Sequence, residues 1–197
     1  MEKTVIIAGL GNPGENYCQT PHNFGFLALD KLAATLEFPP FEMKIDGSLT
    51  TEAKIGKILV ILVKPQSFMN NSGREIAKIL AKKKLGDKKS YPGLWVINDD
   101  VDLPFGKIRI AKNRGSAGHK GVQSIIDRLK SKNFVRFRLG VQKPELAEKK
   151  IAADKFVLKK FSQNDNALLE KTLERTAKAI IMALNQNLEK AMTEFNS

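Results

Sequence analysis

A single cysteine, Cys18, occurs in the 197 residues, so no disulfide can close within this chain. Histidines are almost as scarce. His22 and His119 lie far apart in sequence, no ligand spacing typical of zinc joins them to Cys18, and no metal is expected. No apolar run approaches the roughly 20 residues that a membrane span requires. The opening residues, Met1-Glu2-Lys3-Thr4-Val5, lack the basic region, the long apolar stretch and the small-residue cleavage site of a secretory leader. The cytoplasm is therefore the expected location. There is no internal repeat and no low-complexity linker, and the length suits one domain over residues 1–197.

Acidic residues are also few for a chain this basic: 21 Asp+Glu stand against 33 Lys+Arg, a formal charge of +12. Lysines cluster at Lys82-Lys83-Lys84, Lys88-Lys89, Lys149-Lys150 and Lys159-Lys160. That balance points to a polyanionic partner, nucleic acid foremost, with solvated surface charge as the plainer explanation.

Hydrophobic residues make up 42 % of the chain, enough for a core, and their periodicity divides it into alternating strands and helices. Residues 5–10 form a short apolar run ending on glycines, as a buried strand does. Residues 23–36 carry Leu29, Leu32, Ala33 and Leu36 at helical spacing, with Asn23 as the expected N-cap. Strands are expected at 49–54 and 58–63, a helix at 72–84, a buried strand at 94–98 and a half-exposed strand at 107–112. Val122, Ile125, Ile126 and Leu129 mark another helix. Beyond it Val135, Phe137, Leu139 and Val141 alternate with Arg136, Arg138 and Gly140, which predicts a strand with a cationic face. A C-terminal helix runs through Leu169, Leu173, Ala177, Ile180 and Leu184. Leu188, Met192 and Phe195 either extend it or start another. The fold class is α/β, with a twisted mixed β-sheet flanked by helices on both faces.

Gly9-Leu10-Gly11-Asn12-Pro13-Gly14 fits G-x-G-x-x-G directly after a strand, so a dinucleotide site must be weighed. The residues that follow do not open a helix, because Pro21 excludes α geometry at Thr20, and the pyrophosphate would lack its helix N-terminus. Asp30 and Glu37 have suitable spacing for the ribose but fall within or just past a helix, not at the end of a second strand. No cofactor is expected.

Four blocks carry a stronger resemblance. They are the stretch from Gly9 through Pro21-His22-Asn23-Phe24-Gly25-Phe26, then Lys64-Pro65-Gln66-Ser67-Phe68-Met69-Asn70-Asn71-Ser72-Gly73, then Asn98-Asp99-Asp100-Val101-Asp102-Leu103-Pro104-Phe105-Gly106, and Gly115-Ser116-Ala117-Gly118-His119-Lys120-Gly121. In content, order and spacing they resemble the motifs of bacterial-type peptidyl-tRNA hydrolases, over nearly the whole chain. The resemblance implies a monomeric hydrolase that needs no metal and frees tRNA from peptidyl-tRNA lost prematurely by the ribosome. By position it implies His22 as the general base, Asp99 as its acidic partner, Asn12 and Asn70 as active-site amides, and Tyr17 and Phe68 as substrate-contacting aromatics. The chain departs from the pattern at Pro21, where the family commonly has Arg, and at Lys120, where it usually has Asn.

The chemistry suits these residue types. A histidine, with a reference pKa of about 6.5, is mostly neutral at pH 7 and can take a proton from water. A carboxylate fixes its tautomer, and an amide can donate to an ester carbonyl or accept from a substrate N–H. His119 opens a helix and either caps it or lines the site, while Met69 sits in a loop where ligand contacts are expected. Lys120 is expected to reach substrate, either beside His22 or outward at a phosphate. Arg136 and Arg138 on one strand face, Lys107 and Arg109 on another, and Lys159-Lys160 are the expected holders of tRNA phosphates. The competing function is a non-catalytic RNA-binding protein of the same fold, akin to splicing factors related to the family. The presence of His22, Asp99, Asn12 and Asn70 together favours catalysis.

Overall fold

β1 (Lys3–Gly9) sends Val5 and Ile7 to one apolar cluster and Ile6 and Ala8 to another, so the strand is covered on both faces. The computed structural model describes residues 3–45, 47–87, 89–148 and 150–196. Lys88 and Lys149, from the basic pairs, lie outside the described residues.

In chain order the remaining elements begin with α1 (Phe24–Thr35), β2 (Glu42–Ile45), β3 (Ser48–Ile55), β4 (Ile58–Lys64) and α2 (Ser72–Lys82). They continue with β5 (Leu94–Pro104), β6 (Ile108–Lys112), α3 (Lys120–Leu129) and β7 (Val135–Gln142). The short helices α4 (Pro144–Ala147) and α5 (Ala153–Phe156) precede α6 (Asn166–Asn185) and α7 (Leu188–Phe195). The strands form one mixed sheet in the order β2-β3-β4-β1-β5-β7-β6. The four central strands are parallel, and antiparallel partners close it on both sides.

The two clusters place helices on both faces. Phe24, Leu29 and Leu32 of α1, Leu173 and Ile180 of α6, and Ala191 of α7 pack on one side. Ile76 and Ile79 of α2 and Val122 and Ile125 of α3 pack on the other. Parallel central strands buried on both faces read as continuous apolar runs, as β1 and β4 do. Among the described residues no helix is long and apolar enough to cross a membrane.

Two elements depart from expectation and one open alternative is decided, each for a local reason. β5 continues past residue 98 through Asn98-Asp99-Asp100, because β7 runs parallel beside it and pairs Asp99 with Leu139 and Asp100 with Gly140. Acidic residues have poor strand propensity, so this extension has no signal of its own. At the C-terminus the second of the two expected alternatives holds, with one helix ending at Asn185 and another starting at Leu188. Asn187 is extended at φ −167°, and its side chain accepts from Lys190 N at 2.7 Å, capping α7 afresh. β2, four residues long, is too short for its period to stand out.

Candidate active site

The carboxyl ends of β1 and β5 meet the first turn of α1, and glycines permit the approach. A Cβ on Gly9 would lie 2.3 Å from the Gly25 carbonyl oxygen, and one on Gly25 would lie 2.5 Å from that of Ile97. The first glycine of the G-x-G-x-x-G pattern thus serves close helix–strand packing. The chain then passes through two three-residue 3₁₀ turns, Glu15–Tyr17 and Pro21–Asn23. No α-helix starts directly after Gly14, so there is no N-terminus there to hold a pyrophosphate. Thr20 is extended, as the proline after it demands, and Pro21 fixes the first position of the turn that carries His22. A main-chain hydrogen bond from His22 N to Val157 O, 3.0 Å, holds that turn against the segment following α5.

Asp99, 2 % exposed, is shared by both histidines. His22 Nδ1 lies 3.0 and 3.1 Å from its two carboxylate oxygens, and His119 Nε2 lies 2.9 Å from Oδ1. The tautomers follow from the partners. His119 Nδ1 accepts from Gly121 N and Val122 N at 3.1 and 3.3 Å, so its proton sits on Nε2 and is donated to Asp99. His119 therefore caps α3 and joins the site at once. His22 donates from Nδ1, which leaves Nε2 for a water. Burial alone would raise the Asp99 carboxyl. The two imidazoles overcome that, His119 first and then His22, and hold it well below the usual carboxylate range.

The amide side of the site is clamped by Asn23. Its side chain accepts from Asn12 N and donates to Asn12 O, both at 2.9 Å, as a strand partner would. Asn23 therefore makes no side-chain cap for α1, contrary to expectation, because the Asn12 main chain takes both of its polar atoms. Asn12 Oδ1 accepts from Met69 N at 2.8 Å. Its carbonyl is spent, and the group left for a ligand is the Nδ2 donor. A cavity of about 510 Å³ opens above these residues. His22, Asn12, Asp99 and His119 lie in its wall with Met69, Asn70 and Phe68 on one side and Val157 and Leu158 on the other. Phe68 is 61 % exposed, a large apolar ring standing at the edge of a polar site.

One donor set could hold a cation. His22, Asp99 and His119 offer ligand atoms within 4.8 Å of one another, which sequence spacing did not disclose. The distances from Asp99 to the two imidazoles, 2.9–3.1 Å, are those of hydrogen bonds. His119 already uses both nitrogens, one toward the backbone N–H groups and one toward Asp99, so the set fits a proton network better than a ligand set.

A family model described as peptidyl-tRNA hydrolase matches residues 6–197. The chain belongs to that family. It is 38 % identical over 193 residues to a peptidyl-tRNA hydrolase of Thermodesulfovibrio yellowstonii, covering 98 % of each chain. It is 41 % identical over 192 residues to that of Finegoldia magna, covering 97 % of this chain and 96 % of the other. The crystal structure of peptidyl-tRNA hydrolase from Acinetobacter baumannii superposes with a TM-score of 0.84 at 26 % identity, covering 100 % of this chain and 96 % of that one.

The cavity gathers most of the residues singled out in the sequence, but not the basic strand face. Arg136 is 1 % exposed, and its guanidinium donates to Asn98 Oδ1 and to the Gly115 carbonyl. Arg138 is half-buried and paired with Asp100. Arg136 is thus closed off from a phosphate, while Arg138 stays partly exposed beyond its Nε bond to Asp100. Arg109 is the cross-strand partner of Arg138, so the two share one sheet face and not two. Lys107 and Arg109 are exposed, as are Lys159 and Lys160, which line a second cavity of about 140 Å³ with Lys143 and Pro21. Tyr17 is half-buried and lies outside the wall of the larger cavity. Lys120 is exposed at the first position of α3 and lines the mouth of that cavity. Asn23, Asn98 and Val157 were missed. Each acts through a partner at least eleven residues away, or through its backbone carbonyl, and local pattern carries no trace of that, Asn98 excepted, whose second bond is to the adjacent Asp99 carbonyl.

Proposed function

We propose that the chain hydrolyses the ester joining a peptide, or an N-blocked aminoacyl group, to the 3′ end of tRNA. The observation that carries the reading is the buried Asp99 carboxylate bonded to two imidazoles at the floor of an open cavity. Water bound at His22 Nε2 gives up a proton as its oxygen attacks the ester carbonyl. Ionised Asp99 orients the imidazole and stabilises the imidazolium. The developing oxyanion takes hydrogen bonds from Asn12 Nδ2, which is prepositioned because its oxygen is committed to Met69, and from Asn70. Collapse breaks the carbon–oxygen bond to the ribose, and His22 returns its proton to the departing 3′-oxygen. The products are a peptide acid and free tRNA. Phe68 offers its exposed face to the terminal base or to the peptide. The exposed Lys107, Arg109, Lys159 and Lys160 supply charge for the phosphates. The enzyme works as a cytoplasmic monomer without a metal.

The test is direct. The protein is incubated with an N-blocked aminoacyl-tRNA and with its unblocked counterpart, with and without EDTA, and acyl release is measured. Rapid release of the blocked acyl group, unchanged by EDTA, is the expected result. RNA binding with no release would leave a non-catalytic RNA-binding protein, and a rate lost to EDTA and restored by zinc would make His22, Asp99 and His119 metal ligands.

A further inference from the structure

Arg136 has the largest fully buried side chain among the described residues, and the reaction leaves it no direct part. Its two described acceptors, Asn98 Oδ1 at 3.2 Å and Gly115 O at 2.5 Å, are neutral, and Nη2 is buried without a partner. A buried guanidinium held by neutral groups is a poor source of stability. Burial, with neighbouring Arg138, pushes it down to about 10.

Its bonds, however, join two parts of the site. Gly115 begins the loop that carries His119 into the cavity. The loop is exposed at Gly115, Ala117 and Gly118, and Ala117 and Gly118 are left-handed at φ 50° and 77°. Apart from His119 itself, which bonds Asp99 directly, its other described side-chain bond, Ser116 Oγ to Gln123, reaches only α3. At the other end of the guanidinium, Asn98 donates from Nδ2 to the carbonyl of Asp99 at 2.6 Å. A continuous chain of hydrogen bonds thus runs from the loop of His119, through Arg136 and Asn98, to the backbone of Asp99. We infer that Arg136 is a positioning residue, which sets the loop 115–119 and with it His119 against the strand carrying Asp99. This rests on the reading of Asp99 and its histidines as the catalytic network.

The experiment compares Arg136→Met, Arg136→Lys and Asn98→Ala with wild type in kcat, KM, thermal midpoint and the NMR signal of the His119 Nε2 proton. Arg136→Met removes the chain while filling the space, so the midpoint should hold or rise. Its kcat should fall about ten- to a hundredfold, the scale for a catalytic group displaced by an ångström, with KM little changed. The His119 proton signal should weaken through exchange. Arg136→Lys, which keeps the charge and can reach one acceptor, should recover part of kcat, and Asn98→Ala should resemble Arg136→Met. Wild-type kcat and His119 signal in Arg136→Met would overturn the inference. So would a midpoint that collapses in step with kcat in all three variants, which would make Arg136 merely structural. His22→Ala separates this from the reading beneath it. An inactive His22→Ala beside a fully active Arg136→Met refutes only the role of Arg136, whereas an active His22→Ala refutes the network itself.

Discussion

The floor of the cavity and its mouth are built on opposite principles. On the floor, Asp99, His119, Asn12 and Asn23 are buried, and their hydrogen bonds run to one another or to nearby backbone. At the mouth, Phe68, Asn70 and Lys120 are exposed. The floor is organised before substrate arrives, so its geometry need not be assembled during the reaction. The mouth keeps its groups for the ligand. Floor changes should therefore act on kcat, and mouth changes on KM and its response to salt.

The largest effect should come from His22→Ala, which removes the base and lowers kcat by about 10²–10⁴-fold with tRNA affinity nearly intact. Retention of more than half the activity would erase the contrast, because the floor would not be where the chemistry occurs. Asp99→Asn should lower kcat strongly at every pH tested. Since the histidines hold the Asp99 carboxyl below its ordinary value of 3.8, the carboxylate stays ionised through the acid limb of the profile. Its contribution to folding is complete above that ordinary value and is lost only as pH falls below it. The difference in thermal midpoint between wild type and Asp99→Asn should be level from pH 5 to 8 and shrink below about 4. A difference that already shrinks at pH 6 would place the shift elsewhere.

Asn23→Ala probes the floor from behind. It leaves the Asn12 N–H and C=O unpaired in a buried turn, a cost of about 1–3 kcal/mol for each group left unsatisfied. Asn12 should lose its aim, so kcat should drop by about tenfold or more although Asn23 touches no substrate. Wild-type kcat in Asn23→Ala, measured on folded protein, would show that Asn12 needs no clamp.

Much of this floor was legible in the sequence, and its residues show where legibility stops. His22, Asp99, Asn12 and Asn70 stand in motifs, and those motifs survive as strings of neighbours. Asn23 does not, since the residue before an apolar helix reads locally as a cap. A partner eleven positions back outbids that role. The alternation at Arg136 and Arg138 correctly divided β7 into two faces, and Phe137 and Leu139 do pack inward. Period two cannot say which face water reaches, and here the loop starting at Gly115 covers Arg136 while Asp100 binds the half-buried Arg138. That β5 runs on past Asp99 had no local signal either, because its warrant is β7, forty residues on.

That correction sets the salt experiment. Replacing Lys107 and Arg109 together should flatten the slope of log affinity against log salt by up to about 1.4–1.8, or about 0.7–0.9 for each phosphate no longer neutralised. Arg136→Met should leave the slope where it is. A slope moved by Arg136 and not by the exposed pair would return the phosphate face to β7.

The smallest effect, and the one that best locates the boundary between floor and mouth, belongs to Lys120. It is exposed at the first position of α3, where the helix dipole disfavours a cation by about 0.3–1 kcal/mol. A lysine there is better accounted for by an anion it meets than by the helix it starts. Its long side chain can turn from the cavity mouth toward a phosphate of the bound tRNA, while His119 beside it stays fixed on Asp99. Lys120→Asn should then raise the thermal midpoint by at most a few degrees, the scale for about 1 kcal/mol in a chain of this size. It should leave kcat within about twofold, raise KM modestly and flatten the salt slope by just under one, as expected when a single phosphate goes unneutralised. The pH–rate profile should superimpose on that of wild type. A profile displaced along the pH axis, with the salt slope unchanged, would put the ammonium beside His22 and make Lys120 part of the floor.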